Sequence, residues 1–439
     1  MKNSAFNRRN ALKLMGTGGL GLLFGGAAVR GSPSPSSRSG RVVVVGGGFG
    51  GATAAKYLKR ISPGLEVTLV EPAKRYYTCP FTNLYLAGLR EFESLGHGYN
   101  ELRGRYGVRV VHAMAKDVNV SGKKVVLEDG SELPWDRLVL SPGIDFRWGE
   151  LEGYDKAASQ KAPHAWKAGP QTHLLRRQLE AMEDGGTFIL VAPANPYRCP
   201  PGPYERVSMI AHYMETHKPR SKVLVLDAKD TFSKQGLFQQ GWRDNYGHRI
   251  EWVGRSDDGR VVRVDADKLE VETEFGTIHK ADVLNVVPPQ KAGAIAERAG
   301  VTDETGWVPV DPGTFRARRA EGIYVIGDAT EAAPMPKSGF VANSQAKAVA
   351  RAIAAELAGL DPVEEPGWAN TCYSVIAPDY GITVANVYEV HDGELREVPG
   401  SGGVSPMEAT PAFRSREAAY AESWYAAIAQ DTWGTRPAS

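Results

Sequence analysis

The sequence predicts an α/β chain with two parallel-sheet βαβ domains and a small α+β C-terminal domain. Three observations lead there. A continuous β-branched run, Arg41-Val42-Val43-Val44-Val45, feeds the glycine-rich Gly46-Gly47-Gly48-Phe49-Gly50-Gly51. Far down the chain, Gly322-Ile323-Tyr324-Val325-Ile326 ends in Gly327-Asp328, as a buried strand would. Between them lies a second strand pair, 185–192 and Val223-Leu224-Val225-Leu226-Asp227, joined through a loop filled with prolines. In full, the expectation is two Rossmann-like dinucleotide-binding domains, the second lacking a working NAD fingerprint, plus the small third domain.

Bulk properties agree. The chain has 439 residues, 42% hydrophobic and 23% charged, enough for several domains and too balanced for a disordered protein. Its net charge of +1 provides no field for nucleic acid. Five of the 52 basic residues (Lys2, Arg8, Arg9, Lys13 and Arg30) fall in residues 1–31, where no acid occurs, so acids outnumber bases in the remainder. Arg8-Arg9 leads into a glycine-rich apolar run over 14–28, too short and loose for a bilayer span. Residues 1–31 therefore read as a twin-arginine signal peptide, followed by a Ser/Pro linker. That address predicts a periplasmic chain that folds around a cofactor before export, with no integral membrane segment left after cleavage.

The first domain begins at residue 40. Gly46, Gly48 and Gly51 form G-x-G-x-x-G between a strand and a helix, where glycines keep the turn tight and bring backbone N–H groups to a pyrophosphate. Glu71 ends the next strand, twenty residues beyond Gly51, where an acid accepts ribose hydroxyls. The expected boundaries are 40–155 with 285–360 for this domain, 156–284 for the second, and 361–439 for a C-terminal cap or interface domain.

The two distant segments 135–143 and 322–328 resemble marks of the FAD-dependent pyridine nucleotide-disulfide reductase superfamily. The resemblance implies FAD, with Gly327 and Asp328 at its ribityl chain. Lys337 and the helix after Ser338 are expected where reduced flavin develops negative charge. In the second domain, Pro193, Pro196, Pro200, Pro201 and Pro203 stand where a second glycine fingerprint would be, so NAD(P)H is not expected as reductant.

The three cysteines are Cys79, Cys199 and Cys372. In an exported chain two of them are expected to pair, either as a structural staple or as a redox pair at the flavin. Taken alone, Cys79 reads equally as a buried inert thiol. The segment Cys199-Pro200-Pro201-Gly202-Pro203-Tyr204-Glu205-Arg206, the distant Cys372 and Pro336-Lys337-Ser338-Gly339 are similar to the flavoprotein subunit of flavocytochrome c sulfide dehydrogenase. That resemblance implies a redox disulfide Cys199–Cys372, covalent FAD attachment through Cys79, hydrosulfide as substrate and a c-type cytochrome subunit as partner. Glu205, six residues after Cys199, is the candidate proton acceptor. No C-x-x-C-H occurs, so a haem would belong to another polypeptide. The competing readings are a sulfide:quinone oxidoreductase, an NAD(P)H-dependent reductase and a non-catalytic FAD-binding assembly subunit. The aromatics of the C-terminal stretch suit an interface but suit the core of a small cap better. The histidines show no metal-ligand spacing and are expected to be structural.

Overall fold

The computed structural model describes residues 40–361 and 367–435, so the signal expected over residues 1–31 lies outside it. In chain order the framework runs β1 (Arg41–Val45), α1 (Phe49–Ile61), β2 (Glu66–Val70), β3 (Arg109–Val111) and β4 (Arg137–Leu140). Next come β5 (Thr187–Ala192), α2 (Gly202–His217), β6 (Lys222–Asp227), α3 (Gln235–Tyr246), β7 (Ile250–Val253) and β8 (Val283–Val286). The chain then returns with β9 (Ile323–Val325) and α4 (Gly339–Leu357), and finishes with β10 (Trp368–Ala377), β11 (Tyr380–His391), β12 (Glu394–Glu397) and α5 (Pro411–Trp433).

Five strands form a parallel sheet in the order β9-β4-β1-β2-β3. Val42 to Val45 are buried, as the unbroken β-branched run requires of a central strand covered on both faces. Two glycines set the turn after it. Gly46 has φ +101°, and a Cβ there would stand 2.2 Å from the Ser141 carbonyl oxygen. A Cβ on Gly51 would stand 1.8 Å from the Gly46 carbonyl oxygen, so α1 packs on its strand only without a side chain at that point. The strand order reverses between β1 and β4, which opens a crevice at their C-terminal ends.

The second parallel sheet has the order β7-β6-β5-β8. The third unit pairs β10, β11 and β12 antiparallel and lays α5 against them. Helix α4 begins where expected, the Ser338 hydroxyl accepting from the Val341 N–H at 3.1 Å. Helix α5 is capped by Thr410 and ended by Gly434 at φ +79°.

Helix α5 also returns to the first domain. The Trp433 indole N–H donates to the Gly47 carbonyl at 3.0 Å, and Tyr99 donates to the same oxygen at 3.2 Å. The His97 ring stacks on Trp433 with centroids 4.6 Å apart and shares hydrogen bonds with Tyr425 and Thr435. Trp368, Tyr388, Tyr425 and Trp433 are buried, so the C-terminal aromatics serve mainly as core, with Tyr420 left exposed.

Burial, with Arg75 nearby, pushes the His97 imidazole down from 6.5 to about 4. The folded state therefore holds His97 neutral while the unfolded chain protonates it. Its contribution to stability is intact above about pH 6.5 and is lost as pH falls toward about 4. The expected loss is about 3 kcal/mol. Urea midpoints at pH 7 and pH 4 test this: His97→Gln should shrink the loss by that amount, whereas an unchanged pH dependence would contradict it.

Candidate active site

The crevice opens into a cleft of about 900 Å³ that passes from the glycine turn to the cysteines. It is lined by Gly46, Gly48 and Glu71 at one end, by Gly327, Asp328 and Lys337 midway, and by Cys79, Cys199, Cys372 and Glu205. These residues come from all three units of the fold. Of the residues singled out in the sequence, only Gly51 is away from the cleft, and its place is the helix–strand contact described above.

At the nucleotide end the Glu71 carboxylate accepts from the N–H groups of Gly47 at 2.8 Å and Ala73 at 3.0 Å. Each oxygen keeps acceptor capacity for a ribose hydroxyl. Midway, the Gly327 N–H is held by the Gln345 side chain at 2.7 Å. Asp328 is half-buried, its Oδ1 shielded from solvent and without a partner, while desolvation raises its carboxyl against the opposing pull of Arg198 and Lys337. An unsatisfied, solvent-shielded carboxylate oxygen on a cleft of this size is what a bound polar group would complete. The residues present therefore fit FAD, with the glycine turn and Glu71 for the adenosine side and Asp328 for the ribityl side.

The Lys337 ammonium donates to the carbonyls of Asp328 (2.9 Å) and Thr330 (2.6 Å) and lies 3.7 Å from the Trp307 ring centroid. Burial brings it down to about 8, so it is charged at neutral pH. Its charge reaches the cleft from a fixed position.

Cys79 donates to the Trp166 carbonyl at 3.2 Å and accepts from Arg198 Nη2 at 3.0 Å. Arg198 is thus turned to Cys79, with its Nε unpartnered. Cys199 has φ +59°, an uncommon conformation for a side-chain-bearing residue, and its N–H donates to the Lys337 carbonyl at 2.9 Å. That bond ties the proline-rich loop to the Lys337 loop. Cys372 lies on β10 opposite Val384, its sulfur 3.3 Å from the Asn370 amide nitrogen.

All three cysteines are free thiols in the structure. The bridge expected between Cys199 and Cys372 is not formed here, the Cys372 sulfur being engaged with Asn370. The two thiols differ in surroundings. Burial and the Glu205 carboxylate push Cys199 well above the usual thiol range. Burial also raises Cys372, but Lys234 and the Asn370 hydrogen bond oppose it.

Lys234 was not legible as a site residue. It lies in the loop before α3 with φ +63°, and its side chain runs inward until only 7% of it is exposed. It donates to the Ser374 hydroxyl at 2.6 Å and to the Cys372 carbonyl at 3.0 Å. Ser374 in turn donates to Glu205 at 2.5 Å. Burial raises the Glu205 carboxyl, against Lys234, Ser374 and Arg206.

In the second domain the acid at the end of β6, Asp227, is fully occupied. It accepts from Tyr204 at 2.5 Å, from the Trp252 indole at 3.0 Å and from Lys229 at 2.5 Å. The Tyr204 ring stacks on Phe232 with centroids 3.5 Å apart. Side chains of this chain fill the place where a second dinucleotide would lay its ribose. Among the described residues no cluster of metal-binding side chains occurs, and no helix is long and apolar enough to cross a membrane.

Comparison with known proteins agrees with this architecture. Residues 40–175 match the family model for pyridine nucleotide-disulphide oxidoreductases. Residues 172–288 match that of the sulfide dehydrogenase [flavocytochrome c] flavoprotein chain, central, and 364–433 that of flavocytochrome c sulphide dehydrogenase, flavin-binding. A flavoprotein chain of sulfide dehydrogenase [flavocytochrome c] from Chlorobaculum thiosulfatiphilum is 65% identical over 43 residues, 10% of this chain and 90% of that relative. The mitochondrial sulfide:quinone oxidoreductase of Mus musculus is 23% identical over 350 residues, 75% of this chain and 74% of its own. The solved sulfide:quinone oxidoreductase of Aquifex aeolicus superposes with a TM-score of 0.69 at 16% identity, covering 90% of this chain and 93% of that one.

Fold and site together define an FAD-binding flavoprotein oxidoreductase of the pyridine nucleotide-disulphide type. Within that class the chain belongs to the family of sulfide dehydrogenase flavoprotein chains of the flavocytochrome c kind.

Proposed function

We propose that this chain oxidises hydrosulfide to sulfane sulfur or polysulfide through a Cys199–Cys372 disulfide and FAD, and passes the electrons to a separate c-type cytochrome subunit in the periplasm. The observation that carries the reading is the meeting of Cys199 and Cys372, from two different domains, in the cleft that Asp328 and Lys337 also line. A staple between domains would need no such place.

Hydrosulfide attacks the Cys199 sulfur. The bond to Cys372 breaks, its electron pair leaves on the Cys372 sulfur, and Cys199 carries the persulfide. Glu205 takes the proton of the incoming sulfur. When bound, FAD supplies a two-electron acceptor that can be reoxidised one electron at a time, as a haem partner requires. Lys337 holds a positive charge beside the place where electrons arrive. Cys79 is the proposed covalent anchor, with Arg198 fixing its sulfur. The twin-arginine run and the missing C-x-x-C-H support the periplasmic setting and the separate haem chain.

The acceptor is tested by giving the sulfide-reduced protein a c-type cytochrome in one assay and a short-chain ubiquinone in another. Fast cytochrome reduction with little quinone reduction is the expected result. The reverse would assign the chain to quinone chemistry, which the mouse and Aquifex relatives carry out according to their names.

A further inference from the structure

The cysteine pair is asymmetric, and the asymmetry originates on a third element. Lys234, from the loop before α3, is buried behind the cysteine end of the cleft, where it reaches β10 with no carboxylate of its own in direct contact. Its hydrogen bonds are to Ser374 and to the Cys372 backbone, and Ser374 passes the polarity on to Glu205. Each link donates in one direction, ammonium to hydroxyl to carboxylate. A buried ammonium normally pairs with an anion, because burial without one costs several kcal/mol. Here the first anion on the chain is Glu205, reached through Ser374, and the second acceptor is the backbone of the very residue that would leave as thiolate.

We propose that Lys234 is a positioning residue for sulfide oxidation: through Ser374 it holds Glu205 ionised at the Cys199 side, and its charge makes Cys372 the sulfur that leaves as thiolate. This rests on the disulfide reading above and specifies its direction. In the attack step the hydrosulfide sulfur bonds to Cys199, the Cys199–Cys372 bond breaks and its electron pair goes to Cys372. The proton of the incoming sulfur goes to Glu205. The negative charge then lies on Cys372, near Lys234, and away from Cys199, which faces Glu205.

The groups around the relay are all accounted for. Cys372 feels Lys234, Glu205 and the Asn370 amide, with the Tyr388 hydroxyl near enough to feel it in turn. Lys234 feels Glu205, Cys372, Cys199 and, further off, Glu417; burial lowers it and these groups raise it. Glu205 feels Lys234, Ser374 and Arg206. Cys199 feels Glu205, Cys372, Cys79 and the Arg198 guanidinium, which is itself engaged by the Cys79 sulfur and the Trp166 carbonyl. Arg206 is engaged by the carbonyls of His164 and Ala165 and by Asn285 and Asn83, so Lys234 is the cation whose pull falls on Cys372.

The test uses the flavin-loaded protein, reduced anaerobically with a phosphine and alkylated with iodoacetamide between pH 7 and pH 10, each thiol being followed by mass spectrometry. Cys372 should alkylate faster than Cys199 in the native protein. In Lys234→Met its rate should fall about tenfold or more at neutral pH, with the pH profile displaced upward, and Lys234→Arg should restore most of it. Ser374→Ala should leave the Cys372 rate high and displace the pH profile of sulfide-driven flavin reduction, since Glu205 loses its link. Circular dichroism and the visible flavin band report folding in every variant. An unchanged ratio of the two alkylation rates in Lys234→Met, or Cys199 the faster thiol in the native protein, would overturn the assignment. If instead Cys199→Ser and Cys372→Ser both kept full sulfide oxidation, the disulfide reading itself would fall, whatever Lys234 does.

Discussion

Cys199→Ser is expected to lower sulfide-driven reduction of the bound flavin by about a thousandfold or more, and Cys372→Ser to do the same. A hydroxyl cannot form the disulfide that hydrosulfide attacks, so either change removes the electrophile outright. The replacement is small enough to leave the site intact. Serine fits the φ +59° turn as well as cysteine does, and the Cys199 N–H keeps its bond to the Lys337 carbonyl. Both variants should therefore retain flavin and remain reducible by dithionite. Stopped-flow reduction by sulfide measures the effect. A loss of less than about tenfold in either variant would mean that sulfide reaches the flavin without the pair.

Cys79→Ser should convert the flavin from covalently held to extractable. The native protein, denatured in acid, is expected to keep its yellow colour in the pellet and to show a flavin-bearing peptide containing Cys79. The variant should release its flavin to the supernatant on the same treatment. Binding before denaturation should persist, because the glycine turn, Glu71 and Asp328 are untouched. Arg198 would keep its bond to the Trp166 carbonyl but lose the sulfur acceptor 3.0 Å away. Free flavin released from the native protein would contradict the anchor.

The first domain was the most legible part of the chain because its signals are local. A buried strand, a glycine turn and an acid at the next strand's end fall within some thirty residues, and backbone geometry fixes each of them. Gly51 illustrates the reason: the missing side chain is dictated by a carbonyl oxygen only five residues earlier. Proline in place of glycine in the second loop was equally legible, and its consequence was not. That Tyr204, Trp252 and Lys229 together occupy Asp227 depends on three separate segments meeting, which no spacing announces.

Distance along the chain also hid Lys234. It sits in an ordinary loop, where a lone lysine reads as surface, and only the docking of β10 beside α2 places Ser374 and Cys372 against it. The return of Trp433 to Gly47, across 386 residues, is of the same kind. Tertiary contacts between units decide such positions, and local propensity has no part in them.

The most direct test of the account is an anaerobic titration of the purified flavoprotein, with sulfide in one cuvette and NADH in a parallel one, following the visible flavin band. The account predicts bleaching by sulfide and none by NADH, since the cysteines lead to the flavin cleft and side chains fill the second dinucleotide site. Bleaching by NADH, or a flavin that stays oxidised in sulfide, would contradict it.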